Sequence, residues 1–139
     1  MRQIFLTLVL STTLLIATSS KVDEKSGLIW QDNKDVAQVT FNYNEAKDYC
    51  NALKVDSYED WRLPTLKEFY TIVDLTQNRP ALKNGFEVRD DGKYWTSTSF
   101  AKKPKKEAWY INMSYGEAEA YKMSRVYHVR CVRDNKIKK

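Results

Sequence analysis

A chain of 139 residues suits a single domain, and a net charge of +5 is too small an excess for a dedicated nucleic-acid binder. Hydrophobic residues make up 42% of the chain, which is enough for one sizeable core. Beyond the N-terminal region the sequence has no apolar run of the about 20 residues that a membrane-spanning helix needs.

The first 19 residues differ from the rest and predict a cleaved signal peptide. Arg2 supplies a positive charge, residues 4–16 are apolar apart from Ser and Thr, and residues 17–19 are small enough for a signal peptidase. An uncleaved membrane anchor is the less favoured alternative, because the apolar run is shorter than a span. The segment predicts export to the periplasm, the cell surface or the medium, with no membrane span after cleavage.

The remaining chain divides into three parts. Residues 20–26 are polar and predict a short linker, residues 27–134 form the predicted domain, and residues 135–139 form a basic tail. Within the domain, residues 27–30 predict a short strand and residues 31–35 a polar turn.

Two helix starts are marked by capping boxes. Asn42 is followed three residues later by Glu45, and Thr65 by Glu68, which is the spacing that satisfies two backbone amides reciprocally. After each cap, apolar residues recur at i, i+3, i+4 and i+7, as on one face of a helix. We expect the second helix to end near Leu75, before a polar segment.

From residue 94 onward the apolar residues alternate with a period of two, which indicates strands. The predicted strands cover residues 95–98, 108–113, 119–123 and 126–133, and a charged loop covers residues 101–107. Two helices followed by consecutive antiparallel strands predict an α+β domain.

Cys50 and Cys131 are the only cysteines. Behind a signal peptide an even number of cysteines indicates a disulfide, and two allow only one intramolecular pairing. Closing so long a loop would contribute at most about 4.5 kcal/mol. Free buried thiols remain an alternative, and a redox or metal role is less favoured because there is no C-x-x-C and only one histidine.

Six short motifs occur in order along the chain. They are residues 27–32 (GLIWQD), 46–53 (AKDYCNAL), 61–68 (WRLPTLKE), 94–98 (YWTST), 108–109 (AW) and 129–133 (VRCVR). Together they resemble the Lcl C-terminal-domain family of bacteria, which is similar to C-type-lectin-like and sulfatase-modifying-factor-like folds. The resemblance implies two helices packed around a twisted antiparallel sheet and a disulfide from the first helix to the last strand, here Cys50 to Cys131. It also implies a place among exported adhesins and envelope proteins.

A cluster of positive charge lies in the predicted loop of residues 101–107. Its lysines are Lys102, Lys103, Lys105 and Lys106. Close like charges favour a negatively charged partner, and we predict electrostatic contact with a ligand here. The alternative is a solvated hairpin loop that resists aggregation. Basic residues nearer the C-terminus would extend the patch if they lie nearby, namely Arg125, Arg130, Arg133, Lys136, Lys138 and Lys139.

Aromatic side chains on the predicted strands are the second candidate. Trp95, Trp109 and Tyr110 stand among hydroxyl-bearing residues and are predicted to stack on a sugar ring. The alternative is that one face of each strand belongs to the core, as alternation requires.

No pattern indicates catalysis, a cofactor or a metal. His128 is the only histidine and has no evident nucleophile as partner, and the acidic residues near positions 32–35 and 90–91 suit ordinary turns better than a calcium site. We therefore expect a non-enzymatic exported binding module for an anionic polysaccharide or another envelope component. The alternatives are, in order, a structural or protein-interaction domain of the envelope without a glycan ligand, in which oligomers are possible, and an enzyme.

Overall fold

The computed structural model describes residues 18–136, so nearly all of the predicted signal peptide and the end of the basic tail lie outside the described residues. The helices are α1 (Asp35–Gln38), α2 (Tyr43–Ala52) and α3 (Leu66–Tyr70). The strands are β1 (Ser20–Asp23), β2 (Leu28–Gln31), β3 (Thr40–Phe41), β4 (Lys93–Ser99), β5 (Glu107–Asn112), β6 (Glu117–Lys122), β7 (Tyr127–His128) and β8 (Val132–Asp134).

The strands form two sheets in place of the single one that the resemblance implies. Three strands pair in the order β1-β2-β8, and five pair in the order β3-β7-β4-β5-β6. All pairings are antiparallel except that of β4 with β7, where Tyr94 pairs with His128 in parallel. The α+β class is confirmed, with three helices in the described chain where two were predicted.

The predicted linker of residues 20–26 is wrong over its first half, which forms β1. Ser20 pairs with Gln31 of β2, and the two strands remain in register to Asp23. β1 is the edge of its sheet, and three of its four residues are polar although the strand is paired. An edge strand of this kind has a composition that is hard to distinguish from that of a linker.

The predicted strand of residues 126–133 is divided between the two sheets. Its beginning forms β7 in the larger sheet and its end forms β8 in the smaller one, so the chain crosses from one sheet to the other at Val129–Cys131. Arg130 lies at this crossing. Its guanidinium donates to the carbonyls of Gln31 and Val88 and pairs with Asp32, and these buried contacts take the place of strand pairing.

Both predicted helix starts are confirmed. The Glu45 amide donates to Asn42 Oδ1 at 3.0 Å, and the Glu68 amide donates to Thr65 Oγ1 at 3.1 Å. Both capping boxes are complete. The end of the second helix is earlier than predicted, at Tyr70, because Val73 leaves the helical path to bridge Leu82.

The core contains two clusters of buried side chains, one around Trp30 and the other around Trp95, both fully buried. The predicted disulfide is confirmed. It joins Cys50 of α2 to Cys131, which directly precedes β8, with a Cα–Cα distance of 5.5 Å. Both half-cystines have no exposed surface, so the bridge ties the helix to the crossing between the two sheets from inside the core.

A buried ion pair fixes the loop that precedes β4. Arg130 Nη1 lies 3.2 Å from Asp32 Oδ1, and Arg130 Nη2 donates to the Val88 carbonyl at 2.6 Å. Asp32 in turn accepts hydrogen bonds from the amides of Glu87 and Val88 at 2.8 and 3.0 Å. Burial lowers the pKa of the Arg130 guanidinium, and the Asp32 carboxylate supplies a compensating charge.

Candidate functional site

The predicted charged loop is a compact connection between β4 and β5. The Phe100 amide donates to the Glu107 carbonyl at 2.9 Å and closes the loop. Inside it the Lys103 carbonyl accepts from the amides of Lys106 and Glu107, at 3.1 and 3.0 Å. The side chains of its four lysines are all exposed to solvent.

The lysine loop borders an open groove of about 670 Å³, which we call the lysine groove. The opposite wall is formed by Lys122, at the end of β6, and by Ser124 in the turn that follows. Two contacts set this geometry: Glu107 pairs with Lys122 across the β5–β6 ladder, and the Met123 amide donates to the Lys106 carbonyl at 2.9 Å. The fold therefore adds a fifth lysine to the four that are adjacent in sequence.

Positive charge in the lysine groove is only partly compensated. Lys103 Nζ lies 3.7 Å from Glu107 Oε1, and Glu107 is the single carboxylate of the lining. Within residues 18–136 the other lysines of the groove form no ion pair; they are Lys102, Lys105, Lys106 and Lys122. Ammonium groups that converge without partners create a positive potential that attracts anions.

The prediction that Trp95 and Tyr110 stack on a ligand is wrong. Trp95 is fully buried and Tyr110 is 4% exposed, and the two residues face each other across the β4–β5 ladder inside the core. The indole Nε1 of Trp95 donates to the Phe41 carbonyl at 3.0 Å, so its polar group is also satisfied internally. Alternation along the strands places both rings on the core face, as the competing interpretation had it.

Trp109 has the opposite orientation to Tyr110. It is half-buried on the other face of β5 and packs edge-to-face against Phe100, with ring centroids 5.7 Å apart. Of the three aromatic residues predicted as ligand contacts, it alone combines a position next to the lysine loop with exposed surface. It does not line the lysine groove itself.

Three of the basic residues predicted as possible extensions of the patch have other partners. Arg130 belongs to the buried ion pair, and Arg133 Nε donates to Asp60 Oδ1 at 2.6 Å while its guanidinium stacks on Tyr58 at 3.8 Å. Lys136 also contacts Asp60, at 3.5 Å. These cations do not contribute to the lysine groove.

Sequence reasoning did not identify Lys122 and Ser124 as part of the site. The register of the β5–β6 hairpin could have identified them. β6 runs antiparallel to β5 after the turn near Gly116, so the end of β6 lies next to the start of β5, where the lysine loop ends. A register error of one residue would have placed Lys122 on the other face of the sheet.

From residue 18 to residue 136 no helix has the length and apolar character needed to cross a membrane. In the same range no three His, Cys, Asp or Glu side chains are grouped so that they could hold a metal ion. His128 Nε2 lies 3.8 Å from Asp90 Oδ2, which also accepts a hydrogen bond from the hydroxyl of Tyr94 at 3.0 Å.

The chain matches the model of a known protein family. The family model described as Lcl C-terminal domain matches residues 21–133, a range that includes both cysteines and the whole lysine loop. No curated protein matches the chain. The family match covers most of the 139 residues, and it begins within β1 and ends within β8. The chain therefore belongs to the Lcl C-terminal domain family.

Proposed function

We propose that this domain is a non-enzymatic binding module that binds an anionic polysaccharide of a cell envelope through the lysine groove. The observation that carries the proposal is that five lysines, four of them without an ion pair among the described residues, line one open groove of about 670 Å³. Bringing like charges together is unfavourable in isolation, and an anionic ligand removes that cost.

The lining of the groove favours a polysaccharide over a nucleic acid. Its cations are all lysines, which act as hydrated point charges, and no aromatic side chain is part of it. Proteins that bind single-stranded nucleic acids combine a basic groove with aromatic rings on which bases stack. Without such rings, recognition rests on charge, which suits the sulfate or carboxylate groups of a flexible polymer.

The proposal includes export. The buried Cys50–Cys131 bridge supports a location in the periplasm, at the cell surface or outside the cell, because disulfides persist in oxidising compartments. The N-terminal segment of residues 1–19 would act as the signal peptide. The proposal also includes a C-type-lectin-like identity of the fold, supported by the helices, the sheets and the disulfide that joins α2 to the crossing before β8.

A protein-interaction role is the second candidate, and a small apolar patch supports it. Leu75 is 76% exposed and Tyr115 is 49% exposed. Leu75 lies close to the residue that follows Tyr115, since a Cβ atom built on Gly116 would lie 3.0 Å from Leu75 Cδ2, and the Arg79 guanidinium lies 5.6 Å from the Tyr115 ring. Exposed apolar side chains in one region suit a protein partner, including another copy of the chain.

The test of the proposed function is binding of the purified, oxidised protein to dextran sulfate, polygalacturonate and neutral dextran over a series of salt concentrations. The test variant carries Lys→Ala at positions 102, 105, 106 and 122. The control variant loses the same charge elsewhere, with Lys→Ala at the exposed positions 25, 34, 54 and 67.

We expect the two anionic polymers to bind, binding to weaken as salt increases, and the groove variant to lose at least about tenfold in affinity while the control does not. Absence of binding at low salt, or equal losses in the two variants, would overturn the proposal. The function to test would then be binding of a defined envelope protein through Leu75 and Tyr115.

A further inference from the structure

A second recess, of about 340 Å³, shares the turn after β6 with the lysine groove and has a different lining. It is formed where β4, β5, β6 and β7 meet, and we call it the tyrosine pocket. The residues that define it are Lys93, Tyr110, Glu119, Tyr121, Arg125 and Tyr127. Its volume is at the lower end of the range for ligand pockets, about 300–1,000 Å³, which suits one small cyclic unit better than a polymer chain.

The floor of the tyrosine pocket is rigid. The rings of Tyr110 and Tyr127 pack with centroids 4.6 Å apart, and Tyr127 also packs against the buried Trp95 at 4.7 Å. The Tyr110 hydroxyl donates to Glu119 Oε2, which orients this carboxylate and leaves its other oxygen without a hydrogen bond among the described residues. Tyr110 is nearly fully buried, so it positions Glu119 and has little surface for a ligand.

Two cations border the pocket, and aromatic rings hold both of them. Lys93 Nζ lies 5.5 Å from the ring centroid of Tyr110 and 5.8 Å from that of Tyr127, while the Arg125 guanidinium lies 5.2 Å from the ring of Tyr121. Within residues 18–136 neither cation forms an ion pair with a carboxylate. A cation held by a ring is restrained but not neutralised, so its charge remains available to an anion.

We propose that the tyrosine pocket binds a single sugar unit that carries a carboxylate, a uronic acid residue of the polymer, and this inference rests on the proposed function. The carboxylate pairs with Lys93 and Arg125, and a sugar hydroxyl donates to the free oxygen of Glu119. The sugar ring packs on the accessible surfaces of Tyr121, which is 38% exposed, and of half-buried Tyr127. Two cations with one carboxylate acceptor match a ligand that is both acidic and hydroxylated.

The turn that follows β6 connects the two sites. Lys122 and Ser124 line the lysine groove, whereas Tyr121 and Arg125 line the tyrosine pocket. Neighbouring side chains of a strand point to opposite faces, and β6 is an edge of its sheet. The two sites therefore lie on either side of this edge, and in the proposed complex the polymer crosses the turn, with one carboxylated unit in the pocket and further acidic groups in the groove.

The test uses the smallest probe that carries the proposed chemistry, methyl β-D-glucuronide, with methyl β-D-glucoside as its uncharged match. The purified, ¹⁵N-labelled, oxidised protein is titrated with each sugar and amide chemical shifts are followed. Arg125→Gln and Lys93→Gln remove one cation of the pocket each, and Lys122→Gln removes one cation of the neighbouring groove. The amide spectrum of each variant without ligand reports whether its fold is intact.

We expect saturable shifts centred on residues 119–127 with the glucuronide, about tenfold weaker binding of the glucoside, and a similar loss in the two pocket variants but not in Lys122→Gln. Equal binding of the two sugars, or no saturable shift in this segment, would overturn the inference. Dextran sulfate carries sulfate and no uronate. If dextran sulfate binds and the glucuronide does not, the uronate site is refuted and the proposed function is retained. If the glucuronide binds and dextran sulfate does not, binding at the lysine groove is refuted and the uronate site is retained.

Discussion

Lys122 of β6 is the cross-strand partner of Glu107 in β5, and this register places Lys122 in the lining of the lysine groove. Glu107 is also 3.7 Å from Lys103, four residues before it. One carboxylate therefore pairs with Lys103 and has Lys122 as its cross-strand neighbour, while Lys122 itself forms no ion pair among the described residues.

Reversing the charge of Lys122 tests whether this strand contributes to binding. Lys122→Glu places a second carboxylate opposite Glu107, and we expect the affinity for dextran sulfate to fall at least about tenfold at low salt. The difference from the unmodified protein shrinks as salt is raised. Lys67→Glu, at the exposed start of α3, makes the same change in net charge away from the groove. Equal loss in both variants would show that only net charge matters.

Removing the disulfide tests how much it contributes to the free energy of unfolding. We expect the double variant Cys50→Ala and Cys131→Ala to lose about 2–5 kcal/mol of the free energy of unfolding, because the bridge closes a long loop of the unfolded chain and fills core space. Unfolding in urea with and without reductant measures this. Reductant should destabilise the unmodified protein and leave the double variant unchanged; a loss near zero would contradict the buried bridge.

Replacing Arg130 should be among the most damaging single changes in the domain. Arg130→Met leaves Asp32 buried without its cation and frees the Val88 carbonyl, so we expect a loss of about 3–5 kcal/mol in the free energy of unfolding. Arg125→Met, at an exposed position, is the matched control and should unfold like the unmodified protein. Adding Asp32→Asn to Arg130→Met should recover part of the loss, because no unpaired charge then remains in the core.

Acid should weaken the contact between Arg62 and Glu68. Burial opposes the shift, but hydrogen bonds from the two terminal nitrogens of Arg62, at 2.5 and 2.7 Å, and from the Thr65 amide hold the pKa of Glu68 below its usual value. A carboxyl group whose pKa is lower in the folded state stabilises the fold above the unfolded pKa of about 4.3. That contribution is lost as the pH falls through the lower, folded pKa.

Glu68→Gln removes this titration while it retains a side chain that can cap α3. The variant should therefore be less stable than the unmodified protein at pH 7, and the difference between them should shrink as the pH falls below about 4. Urea unfolding from pH 7 to pH 3 measures it. Asp60, whose pKa the hydrogen bond from Arg133 lowers, still titrates in both proteins and contributes equally to them. A difference that does not change with pH would contradict the assignment to Glu68.

Features that depend on neighbours in sequence could be predicted. The caps at Asn42 and Thr65 need only a partner three residues away, and the structure confirms both. The lysines of the loop are adjacent, and their exposure follows from their position between two strands. The disulfide needed no knowledge of distance, because two cysteines allow one pairing.

Features that depend on pairing between distant segments could not be predicted. β1 has the composition of a linker and becomes a strand only because β2 lies beside it. Trp95 and Tyr110 are buried by one core cluster, and Tyr94 and Ile111 on the opposite face of the same strands are buried by the other, so alternation alone does not show which aromatic rings are exposed. The tyrosine pocket gathers residues from four strands, and nothing in their spacing along the chain indicates that they meet.

Among the strands of residues 18–136, β6 has only β5 as a neighbour, so along that part of the chain its outer backbone groups are open to a strand from another molecule. Two sheets can pair edge to edge at such an open strand, and this pairing leads to aggregation. The strand carries Glu117, Glu119 and Lys122, so two copies brought edge to edge must bury charges at the seam. Lys122, which completes the lysine groove, therefore also disfavours edge-to-edge association of the protein. Variants that neutralise Lys122 should be tested for aggregation before a loss of binding is assigned to a lost ligand contact.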